Sequence, residues 1–300
     1  MGHAYNPELP AHLSFSQVSN LMQCGERFRL TRVWGVKELP GWALIGGSSV
    51  HEWTEIYDKI SMGVAMPQPT FGEVFERLTV EAETKSGIKR ADFKCSGRAT
   101  KAFPDKETAA FWLQEGPSMC RSWVTFRQNA PFDIWIDPKG IPAIELSCRL
   151  MLEDGHTEVV MYIDRVMVDT RSGELVILDL KSGQPVKVDA QLGDYRIGLE
   201  QKYPETVFRY GTFWYARTGT TSPIFPLNEY TYERAEHKYV QAKRIREAGI
   251  FLPNPGMQCG YCSVKDHCYA VSGLLSGTVR PPWVDMTAWE RAGNEPADSV

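Results

Sequence analysis

Three charged side chains set among apolar neighbours are the residues of this chain best suited to chemistry. They are Asp164, Asp179 and Lys181, in the stretch Met161–Lys181, MYIDRVMVDTRSGELVILDLK. Two carboxylates offer hard oxygen ligands to Mg²⁺ or Mn²⁺. A lysine two positions beyond the second acid supplies a point cation that orients or helps deprotonate a water and offsets charge developing on phosphorus. The pattern Asp…Asp-x-Lys therefore suits hydrolysis of a phosphodiester. Taken alone, it equally describes an Asp–Lys ion pair at a strand edge, so the rest of the chain has to decide.

A second reactive set lies near the carboxyl terminus. Cys259, Cys262 and Cys268 form CxxCxxxxxC, with His267 beside the third. Three closely spaced cysteines favour a metal over disulfides. One pair plus an offset cysteine is unlike the two CxxC arms of a zinc ribbon, and a zinc knuckle using His267 or plain buried thiols stay open as alternatives. A fourth ligand must come from elsewhere, and Cys24 in LMQCGERF is the candidate. Cys95, Cys120 and Cys148 lack partner spacing and read as structural.

The elements that must position these groups follow from patterning. Met161–Lys181 reads as two strands, one ending near Val168 and one over Glu174–Lys181, joined by the turn-forming Asp169–Gly173. Alternation places Ile177, Asp179 and Lys181 on one face, and Asp164 with Val160, Tyr162 and Val166 on one face of the partner. If the strands pair, the polar groups converge at one end of the sheet. Upstream, a short helix from Ser14 ends near Cys24. Gly46-Gly47-Ser48-Ser49 opens a second helix with His51 in its first turn. Residues 63–130 read as a helical insertion, with helices around Lys106–Gln114 and Ser118–Arg127. Strands are expected at Asp133–Ile136 and Ile144–Leu152. Downstream come an amphipathic helix over Asp189–Tyr203 with Gln191 and Tyr195 one turn apart, a strand over Arg209–Arg217, and a basic helix over Tyr230–Ala248.

With 300 residues, 43% of them hydrophobic, the chain can bury a large core as one elaborated domain. It shows no apolar run of membrane-spanning length and no charged-then-apolar leader, so a cytoplasmic protein is expected. The net charge of −4 provides no global footprint for nucleic acid, so any DNA contact needs a local basic groove. Arg27, Arg29 and the helix carrying Lys238, Lys243, Arg244 and Arg246 are candidates, though a solvated helix face explains them as well. No Walker-type loop is present, which argues against a motor in this chain.

Cys24 near the start, His51 in a GxxxH context, Asp164 followed by Asp179-x-Lys181, and the CxxCxxxxxC tail occur in an order that resembles the PD-(D/E)XK nuclease superfamily. The resemblance is to its RecB-like branch with an iron–sulfur cluster, which includes CRISPR-adaptation nucleases, AddB nuclease domains and many phage exonucleases. It extends from about Ser14 to Cys268. Met161 departs from it, standing where the family often has glycine.

The resemblance implies an α/β fold, a restriction-endonuclease-like core of mixed central sheet flanked by helices, plus the helical insertion and an iron–sulfur lobe. A single nuclease domain would cover 1–270, with the insertion at about 63–130, the cluster lobe from 14–30 and 249–270, and a tail at 271–300. By resemblance His51, Asp164 and Asp179 hold Mg²⁺ or Mn²⁺, and these three act with Lys181 as the catalytic set. Cys24, Cys259, Cys262 and Cys268 hold a 4Fe–4S cluster, and Gln191 and Tyr195 match a QxxxY motif beside bound DNA. The activity implied is that of a DNA exonuclease working from single-stranded ends in a bacterial, archaeal or phage-encoded setting, with self-association or a helicase or recombination partner. The competing class is a non-catalytic nucleic-acid-binding or partner protein keeping a structural metal cluster. Intact His, Asp, Asp and Lys argue against it.

Overall fold

The computed structural model describes residues 12–96, 101, 106–183, 185 and 190–271. The expected tail at 271–300 lies, beyond its first residue, outside the described residues, as does the chain start before His12. In order, the elements are β1 (Leu13–Ser14), α1 (Phe15–Gln23), α2 (Gly25–Phe28), α3 (Trp42–Ser61), α4 (Phe71–Ser86), α5 (Ala109–Asn129), β2 (Phe132–Ile134), β3 (Ile144–Met151), β4 (Glu158–Asp169), β5 (Leu175–Lys181), α6 (Ala190–Lys202), β6 (Tyr210–Tyr215), β7 (Thr220–Thr221), β8 (Phe225–Pro226) and α7 (Tyr232–Ala248). The chain divides into two compact units. One comprises Ser16–Glu38 and the described part of Val240–Val300, the other His12–Phe15 and Leu39–Tyr239.

The larger unit holds a mixed sheet centred on β4 and β5. These two form the expected antiparallel hairpin, with Val166 opposite Ile177. Its turn closes through Gly173, whose positive φ of 76° suits glycine. β2 and β3 run antiparallel along the other edge of β4. β6 lies parallel to β5, and α6 supplies the crossover that such a pair needs.

Helices α3, α4 and α5 cover one face of this sheet. Trp42, Val50, Phe71, Trp112 and Trp123 pack with Ile144, Met167, Val176, Leu178, Leu180 and Trp214 in one core. Burial of so many large apolar side chains is the main stabilising term of the unit. α4 and α5, which fall within the expected helical insertion at about 63–130, thus supply a wall of this core. Thr70 caps α4 through a reciprocal pair of bonds with Glu73. The two helices expected at 106–127 are a single α5 running through Pro117.

The glycine pair that was expected to open a helix instead lies inside α3, which begins at Trp42. Its role is close approach. A Cβ on Gly46 would fall 1.9 Å from the Trp112 ring, and one on Gly47 2.5 Å from Ser182 Oγ. His51 consequently stands in the middle of the helix and not in its first turn.

The smaller unit has little regular structure. Leu30, Val36, Val264 and Cys268 form its apolar cluster, with Cys262 and Ala270 against it. Phe28 stacks on Phe251 at 5.8 Å, Asn254 Nδ2 donates to the Gln23 carbonyl at 3.0 Å, and Ser263 donates to Glu38. Within this unit the early and late parts of the chain are therefore tied together. Cys259 lies in the single turn Met257–Tyr261, Cys262 just after it, and Cys268 just after the turn Lys265–His267.

Candidate active site

The site lies where β4 loses its neighbour. The β5 ladder ends at Arg165–Leu178, and β1 pairs with Val159 and Val160 farther along the same edge. On that edge, between those two pairings, no described strand pairs with residues 161–164. There the Leu180 N–H donates to Asp164 Oδ2 at 2.6 Å, a carboxylate standing in for a backbone acceptor. Two positions beyond Val166–Ile177, the register sets Asp164 against Asp179. On the other edge, Ile144–Arg165 and Leu146–Ile163 bracket Glu145 against Asp164. Three acids therefore form a row across three strands.

Glu145 carries a positive φ of 48°, a left-handed conformation that costs energy in a residue with a side chain. Alternation fails at that point. Ile144 lies in the core under α3 and α5, whereas Cys148 and Met161 meet Gly198 of α6. Both strands change the face they present at Glu145 and Asp164. The expected shared face of Val160, Tyr162, Asp164 and Val166 is interrupted here, and Tyr162 is 61% exposed while Asp164 and Val166 are buried.

The close fit of Gly47 on Ser182 brings α3 against the residue that follows Lys181. His51 Nδ1 stands 3.5 Å from Asp164 Oδ1. One ligand atom each of His51, Glu145 and Asp164 lie within 4.8 Å of one another. Asp179 is not in that trio. It is buried, and Lys181 Nζ is 2.6 Å from its Oδ2. Lys181 Nζ donates to Gln191 Oε1 at 2.8 Å, and Gln191 Nε2 donates to the Tyr195 hydroxyl at 2.6 Å.

The acids crowd one another electrostatically. Burial, then the neighbouring Asp164 carboxylate, pushes Asp179 up to about 6, with Lys181 opposing. Burial and Asp164 likewise push Glu145 up to about 7. Asp164 itself stays below its ordinary value: burial would raise it, but His51, the Leu180 N–H and Arg165 outweigh burial. Burial disfavours the charged form of His51, yet Asp164, Asp179 and Glu145 together hold its pKa above normal. Three mutually repelling carboxylates and an imidazole are a donor set that a hard divalent cation satisfies. The residues fit such an ion.

Glu145, which the expected ligand set did not include, stands beside His51 and Asp164, while Asp179 lies against Lys181. The sequence signal of Glu145 was weak, because an acid alternating with Ile144 and Leu146 looks like any solvent-facing strand residue. Tyr195 is buried, with 6% exposure, and its hydroxyl accepts from Gln191.

Beside the trio runs a cleft of about 640 Å³ along α3, lined by Leu44, Ser48, His51, Met66, Glu145 and Ser182 among others. Its acids Glu52 and Glu55 are neutralised by Arg77 and Lys59. Of the cations expected to meet phosphate, Arg27 pairs with Glu38, Arg29 with Glu26 and Lys238 with Asp194.

Cys24, Cys259, Cys262 and Cys268 all belong to the smaller unit, and none is in a disulfide. Among the described residues no three of their sulfurs lie within 4.8 Å of one another. A tetrahedral zinc site with bonds of about 2.3 Å would hold its sulfurs about 3.8 Å apart, and that tight group is not formed. Burial raises the Cys268 thiol, with Glu26 and Cys24 close enough to add to the effect.

Acids drawn together at the broken edge of a mixed sheet, with a lysine held beside them, mark the class of metal-dependent nucleases. Comparison with known families agrees: residues 12–269 match the PD-(D/E)XK nuclease superfamily, and the chain belongs to it. The Gene 69 protein of Mycobacterium phage L5 is 26% identical over 297 residues, covering 85% of this chain and 95% of that protein. The Gene 69 protein of Mycobacterium phage D29 is 25% identical over 276 residues, with the same shares covered. No described helix is long and apolar enough to cross a membrane.

Proposed function

We propose that the chain is a Mg²⁺- or Mn²⁺-dependent DNA exonuclease of the RecB-like branch, acting on single-stranded ends. The observation that carries this reading is the convergence of His51, Glu145 and Asp164 beside the Asp179–Lys181 pair. His51, Glu145 and Asp164 would hold the cation, with Asp179 paired to Lys181 beside them. When bound, such an ion acts as a Lewis acid toward the phosphate and lowers the pKa of water. Lys181, fixed by Asp179 and Gln191, orients the attacking water and offsets negative charge on the phosphoryl oxygens. The water oxygen bonds to phosphorus as the bond to the 3′-oxygen breaks.

Preference for a single strand is supported by the cleft, whose volume is that of a small-ligand site and accommodates a nucleotide or two. The four thiols of the smaller unit are assigned to a 4Fe–4S cluster. Such a cubane takes four cysteine ligands and is wider than a single zinc ion. Support comes from their membership of one unit and from the small apolar cluster around Cys262 and Cys268. Gln191 is assigned to the DNA side of the site through Lys181.

The test is a nuclease assay on end-labelled linear and closed circular single-stranded DNA with Mg²⁺ or Mn²⁺. Linear strands should be degraded and circles should resist. Rapid nicking of circles would overturn end dependence, and inertness toward both DNAs with either metal would overturn the nuclease reading.

A further inference from the structure

A guanidinium lies buried behind the acid row, and neither the motif nor the proposed reaction uses it. Arg165 follows Asp164 directly and is 1% exposed. Its Nε donates to Asp58 Oδ2 at 2.7 Å. Nη1 donates to the Asp164 carbonyl at 2.5 Å and to Glu145 Oε1 at 3.3 Å. Nη2 reaches Thr54 Oγ1 at 3.5 Å, and the Trp123 ring lies 5.5 Å from the guanidinium carbon. Asp58 is itself 0% exposed and also accepts from Trp123 Nε1 at 3.2 Å and Arg127 Nε at 3.1 Å.

The arrangement is anchored at one end and directed at the other. Asp58, on α3 and held by three donors on α5 and β4, fixes the guanidinium. A planar fork fixed in this way presents its remaining N–H groups in set directions. Those groups meet the backbone of one member of the trio, Asp164, and the side chain of another, Glu145. Glu145 needs such a partner. Its backbone is in the left-handed region, its carboxylate is crowded by Asp164, and no other hydrogen bond holds it among the described residues.

We propose that Arg165, braced by Asp58, is a positioning residue that aims the Glu145 carboxylate at the cation and so sets how tightly the ion is held. One Glu145 oxygen faces Arg165, which leaves the other for the metal. This rests on the reading of His51, Glu145 and Asp164 as the cation site. Groups that orient a metal ligand contribute about 10–100-fold to metal affinity, which is the size of effect expected here.

The experiment measures Mn²⁺ binding to the purified full-length chain by electron paramagnetic resonance titration, with thermal unfolding alongside. Asp164→Asn tests the underlying reading: unaltered Mn²⁺ affinity in that variant would remove the cation site and the proposal with it. With that site upheld, Arg165→Lys should weaken Mn²⁺ binding about 10–100-fold. It should also raise the Mn²⁺ concentration needed for half-maximal cleavage more than it lowers the rate at saturating Mn²⁺. Combined with Glu145→Gln, it should add little to the loss of Glu145→Gln alone, because it acts through that residue. Wild-type affinity in Arg165→Lys, or fully additive losses in the double variant, would overturn the proposal.

Arg165 is a core residue, and its replacement can prevent folding. A second measurement therefore uses ¹⁵N-arginine-labelled wild-type protein and Glu145→Gln, whose side chain is 29% exposed. A slowly exchanging buried guanidinium signal should shift on adding Mg²⁺ and should lose that response in Glu145→Gln. If no protected arginine signal responds to Mg²⁺, or the response survives Glu145→Gln, the coupling does not exist.

Discussion

The two units of this chain handle their reactive residues in opposite ways. In the larger one, the acids are held by an extensive frame: a sheet, three helices of packed aromatics, and hydrogen bonds such as Leu180 to Asp164. In the smaller one, Cys24 sits between two helices and three more thiols on or beside short turns, with a cluster of only a few apolar side chains. A frame of the first kind can afford to hold like charges together, and the raised Asp179 and Glu145 record that burden. So small an apolar cluster supplies little stability by itself, and small folds of this type commonly need a metal or cross-link. Active-site acids thus work against stability in one unit, whereas in the proposed cluster the cysteines supply it.

The largest expected effect tests the first half of this contrast. Lys181→Ala and Asp179→Asn should each reduce cleavage by on the order of 10²–10³-fold or more, the scale of removing a preorganised charged group. Asp179→Asn should leave the thermal midpoint unchanged or higher, because it removes a buried charge crowded by Asp164. A chelator should abolish cleavage with Mg²⁺ or Mn²⁺ restoring it. Near-wild-type cleavage by Lys181→Ala would remove the lysine from the site, and a large loss of stability in Asp179→Asn would show that this pair supports the fold.

The second half predicts the reverse pattern. Protein prepared anaerobically should carry about four irons per chain, as a cubane held by four thiolates requires. Cys24→Ser and Cys262→Ser, distant in sequence, should lose iron alike and destabilise the smaller unit by about 2–5 kcal/mol, the scale of a lost cross-link in a small domain. Zinc in place of iron, or a Cys24→Ser variant with full iron, would leave that unit without the proposed staple. Serine at Cys120, buried in the large core, should have no effect on iron content.

What was legible in the sequence followed from short-range rules. The β4–β5 hairpin is written in alternation and in the Asp169–Gly173 turn, and the helix ending before Cys24 in its periodicity. Failures came where tertiary contacts override a local rule. Gly46 and Gly47 look like helix breakers, but the helix needs them to pass Trp112 and Ser182. Gly116-Pro117 looks like a stop, yet packing carries α5 through it. Glu145 could not be singled out, because its approach to His51 depends on a left-handed residue and a change of face that alternation cannot foresee. Arg165 was hidden for a related reason: a buried arginine is legible only once Asp58, 107 residues away, is seen beneath it.

The smallest predicted effect concerns Tyr195, where motif and geometry diverge most. The motif suggests a ring beside DNA, but the ring is buried and its hydroxyl accepts from Gln191, which in turn accepts from Lys181. Tyr195→Phe keeps the ring in its place and removes only that acceptor. Losing one hydrogen bond of this kind is worth about 1 kcal/mol, or roughly 5-fold. The loss should fall on the cleavage rate at saturating DNA, since Gln191 then holds Lys181 less firmly. Affinity for single-stranded DNA, measured in Ca²⁺ or without metal, should not change. Tyr195→Ala should instead destabilise the larger unit by about 3–5 kcal/mol, as truncation of a buried aromatic does. A Tyr195→Phe variant with normal rate, together with a stable Tyr195→Ala variant that binds DNA weakly, would return the ring to a stacking role. That result would also mean that the helix bearing it moves when DNA enters.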